Sequence, residues 1–205
     1  MPRPAQTDEQ RNEVRRRILD VAQELLDTSG IDAVSMRAIG SKVGLSASAL
    51  YAYFPARDDI LRALWWDALD ALYERMRTIS AAAEEPEAAI RGFCLAYVDF
   101  AIENPTRFRV LFALERPGGG RDLDMRNVRH AAYALLRQRV AQGIQQGRFR
   151  VPNADLVAQT AWAGIHGVAS LVVSAPGFEF ERPDELATTV IDSLLIGLTT
   201  DTSRV

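Results

Sequence analysis

Residues 35–54, SMRAIGSKVGLSASALYAYF, decide the fold. They contain two short runs with apolar residues three and four apart, which indicates two short helices. Ser35 and Ser46 each stand at the start of one run, where a serine hydroxyl can accept a hydrogen bond from the first helical turn. Gly44 lies between the runs and can take the left-handed conformation that ends a helix. Two short helices joined by a tight glycine turn are typical of a helix-turn-helix.

This segment lies in a window without negative charge. Residues 33–57 carry Arg37, Lys42 and Arg57 but no Asp or Glu, although the whole chain has 27 acidic and 24 basic residues and a net charge of −3. The negative net charge argues against a general polyanion-binding surface. Because DNA phosphates repel carboxylates, the window indicates a local surface for DNA.

Small and hydroxylated side chains suit close approach to base edges, whereas phenols, cations and helix N-termini suit phosphates. We therefore expect DNA contacts from Ser35, Arg37, Ser46, Ala47, Ser48, Tyr51, Tyr53 and Arg57. Residues 46–48 are expected to read bases, and the tyrosines and Arg57 to anchor phosphates. Ala47 and Ala52 offer no side-chain hydrogen bond, so direct readout is expected to be thin and to rely on thymine methyl groups and DNA shape.

Two readings of nearby residues stay open. The serines and tyrosines can instead be ordinary surface residues of a three-helix head. Among the arginines at 15, 16 and 17, one is expected to reach phosphate, while a solvated basic face accounts for at least two of them.

The rest of the chain repeats the helical spacing, and period-2 alternation is absent. The pattern predicts an all-α protein of about nine helices, with a three-helix head and a six-helix body. The first helix has the stripe Val14, Ile18, Ala22 and Leu25 and ends at Gly30. The others are predicted at 35–43, 46–53, 57 to about 83, 86–104, around 108–112, from after the loop 116–121 to about 147 with a weak point at Gly143, 153–174, and 183 to about 200.

Aromatic residues recur at helical spacing in the body, where they can line an apolar pocket or simply form the core. They are Phe93, Tyr97 and Phe100 on the fifth predicted helix, Phe108 and Phe112 on the sixth, and Trp162 with His166 on the eighth. No second His, Cys or carboxylate is spaced to join His166 in a metal site. The single Cys94 lies in an apolar helical context, so we expect neither metal nor cofactor.

The N-terminus is polar and basic, without the apolar run of a signal peptide. The most apolar stretch, 161–175, is shorter than the roughly 18 residues that suggest a membrane span. We expect it to form a buried helix in a cytoplasmic protein that does not contact a membrane.

The segment LSASALYAYFPARDDIL (45–61) resembles the signature of the TetR/AcrR family of bacterial transcriptional regulators, Ser-x-x-x-Leu/Ile-Tyr-x-(His/Tyr)-Phe followed by a basic residue and acids. The segment RRRILDVAQELLDTSGIDAVSMRAIGSKVG (15–44) is similar to that family's first two helices. The chain departs mildly from the family at Arg57 for the usual Lys, at Gly40 for the commoner Ala, and at Ser48 for Gly or Pro. The resemblance implies a DNA-binding domain at 12–72, with the helix-turn-helix at 35–54.

Residues 73–205 are then expected to be a helical domain for effector binding and dimerisation. The segments 103–117 and 161–173 resemble the subgroup named for a Trp-His-Gly motif, here Trp162, His166 and Gly167. The resemblance implies a homodimer formed by the last two helices, with Gly164 and Gly167 allowing close helix contact.

The implied function is a repressor that leaves a pseudo-palindromic DNA operator when a small, largely apolar ligand binds the body. The alternative is an all-helical ligand-binding protein or enzyme that reuses the head without operator binding. Only two histidines, His130 and His166, are present, and no Ser-His-acid grouping is readable, which argues against an enzyme.

Overall fold

A computed structural model describes residues 7–113, 131–175 and 177–199, without the side chains of residues 110–113. Over these ranges the protein is all-α, which confirms the predicted fold class. Its helices are α1 Asp8–Ser29, a 3-10 turn Ile31–Ala33, α2 Met36–Val43, α3 Ala47–Tyr51, α4 Arg57–Ala82, α5 Pro86–Glu103, α6 Pro105–Ala113, α7 Ala131–Gln145, α8 Ala154–Ser174 and α9 Pro183–Leu198. The predicted loop 116–121 and the predicted start of the seventh helix lie outside the described residues.

The start signals in the sequence correspond to real caps. Ser35 accepts from the backbone N–H of Ala38, and Ser46 accepts from that of Ala49, each at 3.2 Å. Asn153 caps α8 in the same way, with the N–H of Leu156 at 3.0 Å from its side-chain oxygen. A side-chain oxygen at this position pairs an amide that the helix itself leaves without a partner.

The helix ends differ in detail from the prediction. Gly44 is left-handed, with φ 73° and ψ 29°, as expected. Gly30 has a positive φ of 79° but an extended ψ of 180°, so it is not a left-handed helical cap. Helix α3 ends at Tyr51 rather than Tyr53, because the N–H groups of Ala52 and Tyr53 bond three residues back, to Ala49 and Leu50, in a tighter turn.

The core of the head unites α1 to α4. On α1 the fully buried residues are Ile18, Ala22 and Leu26, while Leu25 is only partly buried. All four predicted members of the stripe are therefore buried in the core or packed against it, Val14 and Leu25 being partly buried, and the sequence reading missed Leu26. The other buried members of this cluster are Val34, Ile39, Val43, Leu50, Phe54, Ile60, Leu61 and Leu64.

Gly40 makes room for the turn of the helix-turn-helix. A Cβ at this position would lie 2.8 Å from the carbonyl oxygen of Leu45, and the N–H of Leu45 donates to the carbonyl of Gly40 at 2.9 Å. A glycine in the middle of a helix often lets another helix cross closely. The nearest atom belongs instead to the turn itself, which folds back onto α2.

The chain divides into two compact units, and among the residues up to Arg109 the division falls between Ala68 and Leu69, inside α4. In the second unit α5 packs against α7, α8 and α9, and α8 packs against α7 and α9. Cys94, Phe93 and Phe100 are buried on α5, as a core helix requires.

Helix α7 runs through Gly143 without a break, so the predicted weak point was wrong. A Cβ at Gly143 would lie 2.7 Å from Cδ2 of Phe149, whose ring is buried. The glycine is thus a recess for that ring. Phe149 also forms an isolated antiparallel bridge with Thr199, and the N–H of Arg150 donates to the carbonyl of Leu198 at 2.9 Å.

Helix α8 has 21 residues and a mean hydropathy of 1.5 over 18 of them, so by length and composition alone it could cross a membrane. It instead packs within the helical body, although only 39% of that window is buried. Gly164 faces α9 of the same chain, where its Cβ would lie 2.9 Å from Cδ1 of Leu194. The close contact expected at Gly164 is therefore made within the chain, whereas Gly167 has open space around it.

Candidate nucleic-acid interface and aromatic cluster

The first turn of α3 presents small hydroxylated side chains to the outside of the head. Ser46, Ala47 and Ser48 are exposed, and the hydroxyl oxygens of the two serines are 2.9 Å apart. Tyr51 is 52% exposed one turn further on, while Leu50 of the same helix is fully buried. Four of the predicted DNA contacts are therefore exposed on this short helix and its N-cap.

The predicted contacts on α2 have more varied surroundings. Arg37 is exposed near the start of the helix, whereas Ser35 is half-buried and its hydroxyl caps the N–H of Ala38. Lys42 forms an exposed ion pair with Glu24 of α1 at 2.6 Å. A carboxylate from outside the acid-free window therefore lies at its edge.

The two remaining predicted contacts have internal partners as well. Tyr53 is half-buried and packs against the core of the head. Arg57 is half-buried, and its guanidinium donates to the carbonyls of Val34 and Ile31, each at 2.6 Å. The sequence pointed to a phosphate role for Arg57 and gave no sign of these bonds.

Helix α1 sends arginines to the ends of α2 and α3, which sequence reasoning missed. Arg11 donates to the carbonyl of Ala52 at 3.0 Å, and Arg15 donates to that of Tyr53. Arg17 reaches the carbonyl of Val43 at 3.4 Å. The available signal was the spacing of four between positions 11 and 15, which places both on one face of a helix.

In the body, Tyr97, Phe108, Trp162, His166 and Ser170 form what we call the aromatic cluster. The hydroxyl of Tyr97 lies 2.8 Å from Nδ1 of His166, and Nε2 of His166 lies 3.1 Å from the hydroxyl of Ser170. The indole of Trp162 donates to the Tyr97 oxygen at 3.5 Å. The ring of Phe108 has its centre 5.7 Å from those of Tyr97 and His166.

The electrostatics keep this cluster neutral near pH 7. Burial raises the pKa of the Tyr97 phenol above its ordinary value, and the bond from Trp162 opposes that shift. Burial also lowers the pKa of His166 below its ordinary value of 6.5. A neutral imidazole has one donor and one acceptor nitrogen, so the chain from Tyr97 to Ser170 can run in either direction.

Four of the seven predicted pocket residues belong to the aromatic cluster, namely Tyr97, Phe108, Trp162 and His166. Phe93 and Phe100 are core residues of α5, at 2% and 4% exposure, and the side chain of Phe112 lies outside the described residues. Sequence reasoning missed Ser170, although it follows His166 by the same four residues that separate His166 from Trp162. Over the described ranges, no three His, Cys, Asp or Glu residues are placed to hold a metal ion.

Comparison with known proteins finds two family models that match separate parts of the chain. Residues 18–64 match bacterial regulatory proteins of the tetR family, and residues 90–194 match the tetracyclin repressor-like C-terminal domain. The HTH-type transcriptional regulator YobS of Bacillus subtilis (strain 168) is 32% identical over 91 residues, which are 44% of this chain and 47% of that protein. The chain spans about half the length of the curated relatives it matches.

Solved structures show the same fold. A protein of unknown function from Rhodococcus sp. RHA1 has a TM-score of 0.81 at 23% identity and covers 98% of this chain and 100% of its own. PfmR, a TetR family transcriptional regulator from Thermus thermophilus, has a TM-score of 0.69 at 24% identity, with 88% and 97% covered. The Trp-His-Gly subgroup stays a prediction, but the family is confirmed by the two domain matches: this chain belongs to the TetR family of bacterial regulatory proteins.

Proposed function

We propose that this protein is a homodimeric transcriptional repressor of the cytoplasm, which binds a pseudo-palindromic DNA operator and leaves it when a small, largely apolar ligand binds the body. Family membership supports a DNA-binding regulator. The observation that carries the DNA-binding half is the exposed start of α3, where Ser46, Ala47 and Ser48 stand in an acid-free window. No carboxylate of that window opposes an approaching phosphate.

The proposed contacts divide by chemistry. Ser46, Ala47 and Ser48 approach base edges in the major groove, with Tyr51 donating to phosphate. Ser35 and Arg37 contact a phosphate at the start of α2, because the N-terminus of a helix attracts an anion. Tyr53 and Arg57 remain proposed phosphate anchors, in addition to their internal contacts.

Fluorescence anisotropy with DNA flanking the gene tests this assignment. Tyr51→Phe and Arg37→Ala should weaken binding, and Arg37→Ala should also reduce the slope of log K against log salt by about one phosphate's contribution. Ser41→Ala, an exposed change on α2, is the matched control and should bind like the parent. Arg57→Ala should weaken binding to all sequences and flatten the slope; an unchanged slope counts against its phosphate role.

The dimer interface is proposed on α8 and α9. Leu156 and Leu171 on α8 are each 54% exposed, and Ile196 on α9 is 78% exposed. Covering these apolar side chains with a second copy of the chain would remove them from water, which lowers the free energy. A two-fold dimer would place two recognition helices in successive major grooves, roughly 34 Å apart.

Light scattering after gel filtration tests the interface. Ile196→Asp should shift the protein towards the monomer, because it introduces a charge into a dehydrated contact. Ile102→Asp makes the same change at a 42% exposed residue of α5 and should leave the dimer intact. Equal dissociation by both variants, or by neither, would place the interface elsewhere.

The effector site is proposed at the aromatic cluster, which offers apolar rings and the polar groups of Tyr97, His166 and Ser170. Differential affinity of the ligand for two arrangements of the dimer would supply the free energy of release. Replacing Trp65 and Trp66 by Phe leaves Trp162 as the only tryptophan. Its fluorescence should then change with an inducing ligand, and Tyr97→Phe should weaken that ligand's effect.

The alternative, an all-helical ligand-binding protein or enzyme that does not bind an operator, is separated by a mobility-shift assay. The ligand-free dimer should give a specific shift on DNA flanking its own gene. The alternative is supported if no such fragment competes for the protein better than unrelated DNA does. If the mobility shift persists with ligands that bind the protein and change the fluorescence of Trp162, the result would contradict the release step alone.

A further inference from the structure

Helix α3 ends in a tight turn, in which the N–H of Ala52 donates to the carbonyl of Ala49 and those of Tyr53 and Phe54 donate to the carbonyl of Leu50. It has only five residues, Ala47–Tyr51, and the following residue, Ala52, is right-handed, with φ −70° and ψ −20°. No glycine is available between Ala52 and Arg57 to turn the chain back over the last carbonyls. The carbonyls of Ala52 and Tyr53, which directly follow the helix, receive their side-chain donors from α1.

Arg15 is the central donor. Its guanidinium donates to the carbonyl of Tyr53 and lies over the ring of Phe54, 4.1 Å from the ring centre. Phe54 is itself 1% exposed in the core of the head. One turn earlier, Arg11 donates to the carbonyl of Ala52 at 3.0 Å. Arg15 thus joins the segment that directly follows α3 both to α1 and to the core.

The geometry is specific to arginine. A planar guanidinium can donate in its plane to a carbonyl while its face rests on an aromatic ring. A lysine ammonium retains the charge but cannot make both contacts with the same flat group. The neighbouring Arg16 has the same charge on the exposed side of α1 and serves as a matched control.

We propose that Arg15 is a positioning residue for operator recognition: by holding the end of α3 it sets the direction in which Ser46, Ser48 and Tyr51 meet the DNA. The inference rests on the proposed DNA-binding function and departs from the sequence-based choice between a phosphate contact and a solvated basic face. A phosphate contact acts through charge and salt. A positioning residue instead changes the ratio of the affinities for operator DNA and for non-specific DNA.

The first test requires no DNA. Hydrogen–deuterium exchange is measured for the amides of Tyr53 and Phe54, which donate to the carbonyl of Leu50 at 3.0 and 3.1 Å. Arg15→Lys should accelerate their exchange at least tenfold relative to Arg16→Lys, assayed well below both melting temperatures. Equal exchange in the two variants would overturn the proposal, whether or not the protein binds an operator.

The second test compares operator DNA with a scrambled duplex over a range of salt concentrations. Arg15→Lys should lose at least tenfold in operator affinity and keep the parent's affinity for scrambled DNA and its salt slope, while Arg16→Lys should match the parent. If Arg15→Lys binds the operator as tightly as the parent, the positive charge alone is sufficient and the proposal is overturned. Parent specificity with only a lower melting temperature would overturn it in favour of a purely structural contact. If the parent itself shows no operator preference, the proposed function fails, and the exchange result still decides the positioning of α3.

Discussion

The hydroxyl of Tyr97 and Nδ1 of His166, 69 residues apart in the chain, lie 2.8 Å apart. This bond joins α5 to α8 inside the body, and Ser170 continues it from the other imidazole nitrogen at 3.1 Å. Both nitrogens of a neutral histidine are thereby used, one as donor and one as acceptor. Protonation of His166 turns both into donors, so the arrangement depends on pH.

We expect acid to destabilise the protein partly through His166. Burial lowers its pKa in the folded state below the ordinary value of 6.5, so the unfolded chain takes up the proton first as pH falls. The stability contributed by neutral His166 is therefore present above about pH 6.5 and decreases below it. Between pH 7.5 and 5.5 the melting temperature of the parent should fall more than that of His166→Gln. Parallel curves would contradict the assignment, and Tyr97→Phe, which keeps the imidazole, should retain the fall.

Cys94 is expected to be inert in the folded protein. Burial raises the pKa of its thiol to about 12, and the thiolate is the reactive form. A disulfide reagent such as Ellman's reagent at pH 8 should label one thiol in guanidinium chloride but very slowly in native buffer. Rapid labelling of the native protein would show that this part of α5 opens readily.

Gly143→Ala should destabilise the protein although alanine favours helices. The new Cβ meets the buried ring of Phe149, and overpacking costs about 1–3 kcal/mol against a gain of about 1 kcal/mol in helix propensity. Gly197→Ala, in α9 with open space around the position, is the control and should be neutral or mildly stabilising. Urea unfolding measures both variants. Adding Phe149→Leu should offset part of the loss at Gly143, and no such coupling would count against the contact.

Arg139 should matter more than its neighbour Arg137 on α7. Its half-buried guanidinium donates to both the hydroxyl and the carbonyl of Ser80 and to the carbonyl of Ala83 at 3.1 Å. Arg139→Met leaves these carbonyls at and just after the end of α4 without that donor and should cost about 1–3 kcal/mol.

Arg137→Met is the matched control, because it removes only an exposed ion pair with Asp155 at 2.8 Å, which water screens, and it should cost much less than Arg139→Met. Urea unfolding of the two variants gives the comparison. Equal losses would show that the α4 carbonyls are satisfied by water in the variant.

Much of the fold could be predicted from local signals. Ser35, Ser46 and Asn153 marked helix starts because a cap acts within three residues, and Gly44 marked a helix end because its conformation is local. Apolar spacing found the buried side of α1, although it missed the fully buried Leu26. These features depend on neighbours in sequence, which the sequence shows directly.

The remaining features depend on partners that are distant in sequence. Nothing in the spacing of α1 shows that Arg15 meets the carbonyl of Tyr53, or that Arg57 meets that of Ile31. Gly143 was predicted to weaken its helix, because the sequence does not show that the ring of Phe149, beyond the end of α7, packs against it. Long side chains and backbone carbonyls pair through tertiary packing, so their roles in the candidate interface required the structure.

Under the proposed function, the Ser46 and Ser48 hydroxyls would also limit how much sequence information an operator can hold. Either oxygen of the pair can be the donor, so the two can rotate together and present a donor or an acceptor to the same base edge. A hydroxyl pair that can either donate or accept a hydrogen bond would tolerate several bases at one position. The adjacent Ala47 would add only a methyl contact. We therefore expect an operator motif with low information content per base pair, whose identity resides in half-site spacing and in the ease with which the intervening DNA deforms.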